Sequence, residues 1–254
     1  MRRSLREFTP FPQHSSAETM LGNYIDRPRE DSLTASVFST LLHLPVNEFW
    51  QLLRKACPAA DLPVYVGEPD SIEFWPKWDA SGTANTNYVE PDVFIRFPEF
   101  DLIVEAKRGD IGSQHQSQWL NEVQSYCNVY GSEDREVRLM ALGGVWNIRD
   151  ESVPLPASVS NAETERRCPV HMAEWRRLLE AITDERRRQR GESPSGDGKA
   201  RVRILTDAIH FFDVHGFVPL RLFSSFDFSH YALATDLGDA HERLQKVHSK
   251  LITR

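Results

Sequence analysis

Apolar positions along the chain change period several times, and each change marks an element. Leu33, Val37, Leu41 and Leu44 recur at helical spacing behind Asp31 or Ser32 as a cap, and Pro45 stops that helix. A second helix is predicted from about residue 47, with Phe49, Trp50, Leu52 and Leu53 on its apolar side, ending before Cys57-Pro58. Val64, Val66, Ile72 and Phe74 then alternate with polar neighbours, which predicts strand. Residues 81–87, Ser-Gly-Thr-Ala-Asn-Thr-Asn, predict a loop or hairpin turn. Two strong strands follow over 93–97 and 102–106, joined by a tight turn through Pro98, Glu99, Phe100 and Asp101. A helix over 114–130 and a strand over 137–145, closed by Gly143-Gly144, continue the pattern.

This order predicts an α/β fold, a mixed central sheet flanked by helices. Residues 150–167 are rich in Pro and Ser and read as a long connection. Beyond them 170–190 reads as helix, with Met172, Trp175, Leu178, Leu179 and Ile182 in one stripe, and further helices are predicted over 200–215 and 237–252. The division that follows is a flexible leader over 1–28, a core over 29–148, and a mostly helical C-terminal region over 149–254. A linker is expected near 191–199, where Gly, Ser and Pro gather.

Composition narrows the class. At 40% hydrophobic and 26% charged the chain has an ordinary globular balance, and no apolar run approaches the roughly 18 residues of a membrane span. The N-terminus is basic but lacks the apolar stretch of a secretory signal. Cys57, Cys127 and Cys168 are odd in number, far apart and without CxxC spacing. That argues against a disulfide framework or a zinc finger, and a reducing, cytoplasmic compartment is expected. The net charge of −7 opposes a general hold on nucleic acid, although local patches decide contact. Arg176-Arg177, Arg186-Arg187-Arg188, Arg190, Lys199, Arg201 and Arg203 form the basic stretch, which reads first as a solvated helix face and linker.

Candidate chemistry lies between Glu90 and Lys107. Two strands in a hairpin bring Asp92 and Glu105 to a shared end, and Glu105 and Lys107, two apart on a strand, leave the same face as Ile103. Close carboxylates repel, and a divalent cation relieves the repulsion; magnesium takes one or two protein carboxylates and keeps several waters. Bound metal brings water towards ionisation near neutral pH, and an adjacent ammonium orients that water or stabilises transition-state charge. Asp92 and Glu105 suit the metal and Lys107 the water. No HExxH, no phosphate-binding glycine loop and no nucleophile elbow competes with this set.

Pro91-Asp92 and Glu105-Ala106-Lys107, separated by a hairpin, resemble the signature of the PD-(D/E)XK nuclease superfamily, over roughly residues 29–148. The resemblance implies a restriction-endonuclease-like core and an acidic residue on the first core helix, a position that Glu30 occupies. It also implies a glutamine on the helix after the lysine strand, followed by a hydrophobic residue and, four on, a tyrosine. Gln118-Trp119 matches with Glu122 where the tyrosine would fall; alternatively Glu122-Val123 with Tyr126 fits, with glutamate for glutamine. The set implied is Asp92, Glu105, Lys107 and Gln118 for catalysis. Glu30, Asp92, Glu105 and the Ala106 carbonyl are the implied holders of Mg²⁺ or Mn²⁺. The expected function is metal-dependent phosphodiester hydrolysis, of DNA ahead of RNA, in the manner of bacterial restriction or anti-phage systems. A recruiting protein or a homodimer is the further partner expected, and no membrane. An inactive nuclease-fold module serving assembly, or a phosphohydrolase of small nucleotides, are the competing classes.

Overall fold

Periodicity and structure agree best where an element buries one clear face. In chain order the elements are α1 (Glu30–Leu41), α2 (Val46–Ala56), β1 (Ser71–Phe74), β2 (Trp78–Asp79), β3 (Tyr88–Val89), β4 (Val93–Arg96), β5 (Asp101–Ala106), α3 (Gln116–Tyr130), β6 (Val137–Leu142), β7 (Glu151–Pro154), β8 (Arg167–Ala173), α4 (Trp175–Gly191) and α5 (Gly196–Val214). They come from a computed structural model, which describes residues 30–58, 61–109, 112–145, 151–159, 166–191 and 196–218. The expected leader and the helix over 237–252 lie outside those residues. Among the described residues no helix is long and apolar enough to cross a membrane.

The fold is α/β. Six strands form one mixed sheet in the order β1-β4-β5-β6-β8-β7, and β2 and β3 make a separate hairpin. β1 pairs antiparallel with β4 and β4 antiparallel with β5; β5, β6 and β8 are mutually parallel, and β7 returns antiparallel on the edge. Side chains alternate between the two faces. Val93, Ile95, Leu102, Val104, Met140 and Leu142 pack beneath α1, α2, α4 and α5 with Phe38, Trp50, Trp175 and Phe212. Phe94, Ile103, Leu139, Ala141, Val170 and Met172 pack beneath α3 and the hairpin with Trp78, Trp119, Val123 and Tyr126.

Several boundaries differ from the expectation. α1 already begins at Glu30, so Asp31 and Ser32 lie inside it rather than capping it. Val64 and Tyr65 are exposed and belong to no strand. Residues 170–173 are strand, not helix: Cys168, Val170 and Met172 alternate into the α3 face, and the helix starts only at Trp175. Met172 merely falls in register with the helical stripe that follows. β8 lies between β6 and β7, so the sheet crosses the division drawn at residue 148. α5 begins at Gly196, inside the segment read as a linker.

One buried polar group anchors the antiparallel end of the sheet. Asp101, fully buried, pairs with Arg96 and Arg135 through Oδ1 and accepts the Tyr126 hydroxyl on Oδ2 at 2.8 Å. Arg96 also pairs with Glu133 and lies over the Tyr130 ring. The hydroxyl of Tyr126 is held far from ionising by burial and by the Asp101 charge. Tyr126→Phe removes a donor from a buried carboxylate and is expected to cost about 1–3 kcal/mol in urea denaturation.

Candidate functional site

Strand register builds the site. Val93 pairs with Val104, which sets Asp92, one residue before β4, opposite Glu105. Phe94 and Ile103 face α3, so Asp92 and Glu105, at the same parity, turn to that side as well. α3 then spans β5. Tyr126 meets Asp101 and Gln118 meets Glu105. Four residues of strand and eight of helix both cover roughly 12–13 Å, which is why the two ends match.

The carboxylates are deeply placed. Asp92 is 8% exposed, Glu105 2% and Glu122 1%. Asp92 Oδ2 accepts the Ala106 backbone N–H at 2.8 Å, and Oδ1 accepts the Trp75 indole N–H at 3.3 Å. Glu105 Oε1 accepts both the Lys107 ammonium and the Gln118 amide. Gln114, just before α3, donates to the Glu105 carbonyl at 3.0 Å and receives the Trp119 indole N–H at 2.8 Å. Glu122 Oε2 is buried with no hydrogen-bond partner. Burial first, then the Glu105 and Asp92 carboxylates, push the Glu122 carboxyl well above the usual carboxylate range, and Lys107 pulls weakly the other way.

The segment carrying Lys107 is held by its backbone. Lys107 N–H donates to the Leu142 carbonyl at 2.8 Å, and the Lys107 carbonyl accepts the Trp175 indole N–H at 3.0 Å. Gly143 and Gly144 follow β6 at φ 76° and 65°. A Cβ on Gly143 would stand 2.1 Å from the Lys107 carbonyl oxygen, and one on Gly144 would stand 2.8 Å from Lys107 Cβ. The pair read from sequence as a strand terminator is therefore also the surface against which Lys107 packs.

Asp92, Glu105, Ala106, Lys107 and Gln118 come together. For Glu30 the described part is its backbone, at the first turn of α1. Gln118 and Glu122, the leading residues of the two helix readings, both reach the carboxylates, whereas Tyr126 bonds to Asp101 and is not in this group. Gln114 was not singled out as a site residue, and nothing in the residue pattern points the Trp75 indole at Asp92. Glu122, named in both helix readings, lies one turn after Gln118 on the same helix face. Arg177, Arg187 and Arg188 pair with Glu174, Asp184 and Glu185 three residues away, and Arg201 pairs with Glu48. These belong to α4 and α5, on the opposite side of the sheet from α3, as a solvated helix face does.

Oxygen donors of this kind suit a hard cation. Among the described residues, no three His, Cys, Asp or Glu side chains already form a metal-holding group. Magnesium needs only one or two protein carboxylates, so the Asp92–Glu105 pair is sufficient in kind.

No family model and no solved structure matches the chain. An uncharacterized protein of Pasteurella multocida (strain Pm70) is 35% identical over 119 residues, covering 46% of this chain. The matched part is 43% of that relative, so the chain spans less than half of its length.

Glu122 makes a pH test available. Its folded pKa lies above the unfolded one, so the unfolded chain loses this proton first as pH rises and native stability falls through that window. Glu122→Gln removes the effect. In urea denaturation with EDTA present, the stability of Glu122→Gln relative to wild type is expected to grow as pH rises above the ordinary carboxylate range. A difference that stays flat would mean the carboxyl is not held protonated by the fold.

Proposed function

We propose that the chain is a metal-dependent nuclease of PD-(D/E)XK type that hydrolyses phosphodiester bonds, of DNA ahead of RNA. The observation that carries the reading is the burial of Asp92 and Glu105 side by side with Lys107, close enough to Glu122 to push its carboxyl towards the neutral form. Buried like charges cost stability, and sites that tolerate them are often sites of chemistry. The element order gives further support: α1, then antiparallel β1, β4 and β5, then α3 crossing to parallel β6, is compatible with a restriction-endonuclease-like core. A role in restriction or anti-phage defence, and recruitment by a partner protein, follow from the resemblance alone.

Asp92 and Glu105, with the Ala106 carbonyl, would hold Mg²⁺ or Mn²⁺. The cation, when bound, supplies a water of lowered pKa and neutralises charge on the phosphate. Lys107, bonded to Glu105, stands ready to shift towards the attacking water or the developing negative charge. Gln118 shares the same carboxylate oxygen and fixes the Glu105 side chain as the ammonium moves.

A second reading has its own support. Both Asp92 oxygens already accept N–H groups of the protein, as they would in an inactive module used for assembly.

Cleavage of circular single- and double-stranded DNA, with and without Mg²⁺ or Mn²⁺, separates the two. Metal-dependent nicking or degradation is expected from wild type, with a loss of about 100-fold or more in Lys107→Ala. In calorimetry Lys107→Ala should still bind Mn²⁺, whereas Asp92→Asn and Glu105→Gln should not. Intact circles under every condition, together with no Mn²⁺ binding that depends on Asp92 and Glu105, would favour the assembly module.

A further inference from the structure

Trp75 stands where the chain leaves β1 for the β2–β3 hairpin, and Asp92 stands where it returns to β4. The Trp75 backbone has φ 50°, in the left-handed region. That conformation is strained for an aromatic residue, and Pro76 immediately after it restricts the backbone further. A residue needed only to turn the chain here would be Gly, Asn or Asp. What the conformation achieves is a pair of hydrogen bonds to one neighbour. The Trp75 backbone N–H donates to the Asp92 carbonyl at 3.2 Å, and its indole N–H donates to Asp92 Oδ1 at 3.3 Å.

Asp92 Oδ2 is taken by the Ala106 N–H. The two carboxylate oxygens are thus pinned by donors from two separate segments, and rotating the carboxylate plane breaks at least one bond. The hairpin that begins at Trp75 is itself tied to α3. Ala84 N–H donates to Asn121, the Ser125 hydroxyl donates to the Asp79 carbonyl, and the Asn128 amide donates to the carbonyls of Asp79 and Ser81. Trp78 packs edge-on against Phe94 beneath the same helix. Trp75 therefore cannot relax without disturbing a hairpin anchored on the helix that carries Gln118 and Glu122.

We propose that Trp75 is a positioning residue of the site, its indole N–H fixing the plane in which Asp92 presents its carboxylate beside Glu105. The inference rests on the nuclease reading above, and it adds a part to that site which the sequence signature does not contain. Outer partners that orient a metal-holding carboxylate contribute about 10–100-fold to affinity or turnover.

The test uses the full chain with two replacements. Trp75→Phe removes the N–H and part of the ring. Site-specific 3-benzothienylalanine at position 75 keeps the size and shape of the indole but puts sulfur in place of the N–H. Mn²⁺ affinity by calorimetry, kcat and KM on circular DNA, and a thermal melt are read for each. Both variants are expected to bind Mn²⁺ more weakly and to lose about 10–100-fold in kcat, with KM for DNA and the melt close to wild type. A benzothienylalanine chain that binds Mn²⁺ and turns over like wild type overturns the role of the N–H, whatever Trp75→Phe does. Wild type that neither binds Mn²⁺ nor cuts DNA overturns the nuclease reading and this inference together. Wild type that does both, beside variants that match it, overturns the Trp75 inference alone.

Discussion

Burial of carboxylates on one face of β5 organises most of this structure. Asp101 and Glu105 begin and nearly end the same strand, face the same helix and are both almost completely buried. An ion in such a place costs several kcal/mol unless it is paired and hydrogen-bonded. Asp101 meets that cost fully, with two guanidinium groups and a phenol. Glu105 has one ammonium and one amide, and it shares its surroundings with Asp92 and Glu122. The same physics therefore yields an anchor at one end of the strand and an under-compensated acidic site at the other. Local stabilisation accounts for the first end and leaves the second unexplained, and that asymmetry is the strongest reason to look for chemistry at Glu105.

α3 is the beam between the two ends. Its contact with Asp101 through Tyr126 fixes its height along β5, and that height brings Gln118 to Glu105 two turns further back. The hairpin of β2 and β3 lies on the same helix, with Trp78 in the core that Phe94, Tyr126 and Val123 share. Asp92, which ends the hairpin segment, and Glu105, on β5, are thus both referred to one helix. A change that shifts α3 would be felt at both carboxylates together, and one confined to the opposite face of the sheet would reach them only through the strands.

Much of this could be read from the residues, and the parts that could not have physical causes. The apolar runs over 93–97 and 102–106 named the hairpin, and parity alone set Glu105 beside Lys107 on the Ile103 face. β8 was hidden because Pro169 lies within it and Met172 also satisfies a helical stripe. Pro169 precedes the four residues that pair with β6, so the parallel ladder is spared. Glu122 was half legible, since helical spacing from Gln118 aims it at the site but says nothing of how deep it lies. Trp75 was not legible at all: a positive φ on tryptophan has no signature in the sequence, and its bond to Asp92 depends on how the hairpin closes.

The two layers around the sheet hold different parts of the site, and this division bears on how it could work. Side chains that meet the carboxylates come from α3 and the hairpin, on one face. The backbone of Lys107 is held from other directions: the Leu142 carbonyl along the sheet, Trp175 at the start of α4, and Gly143-Gly144 packed against it without a side chain between them. A lysine fixed at its main chain and bonded at its tip to Glu105 can change partner by rotating its side chain alone. Catalysis by positioned charge requires that arrangement, a rigid frame with one mobile group, because reorganising the frame at the moment of reaction would consume the stabilisation it provides. A rigid main chain behind one movable ammonium is the construction that the proposed role of Lys107 requires, and the Leu142 carbonyl, the Trp175 indole and the Gly143-Gly144 turn supply it.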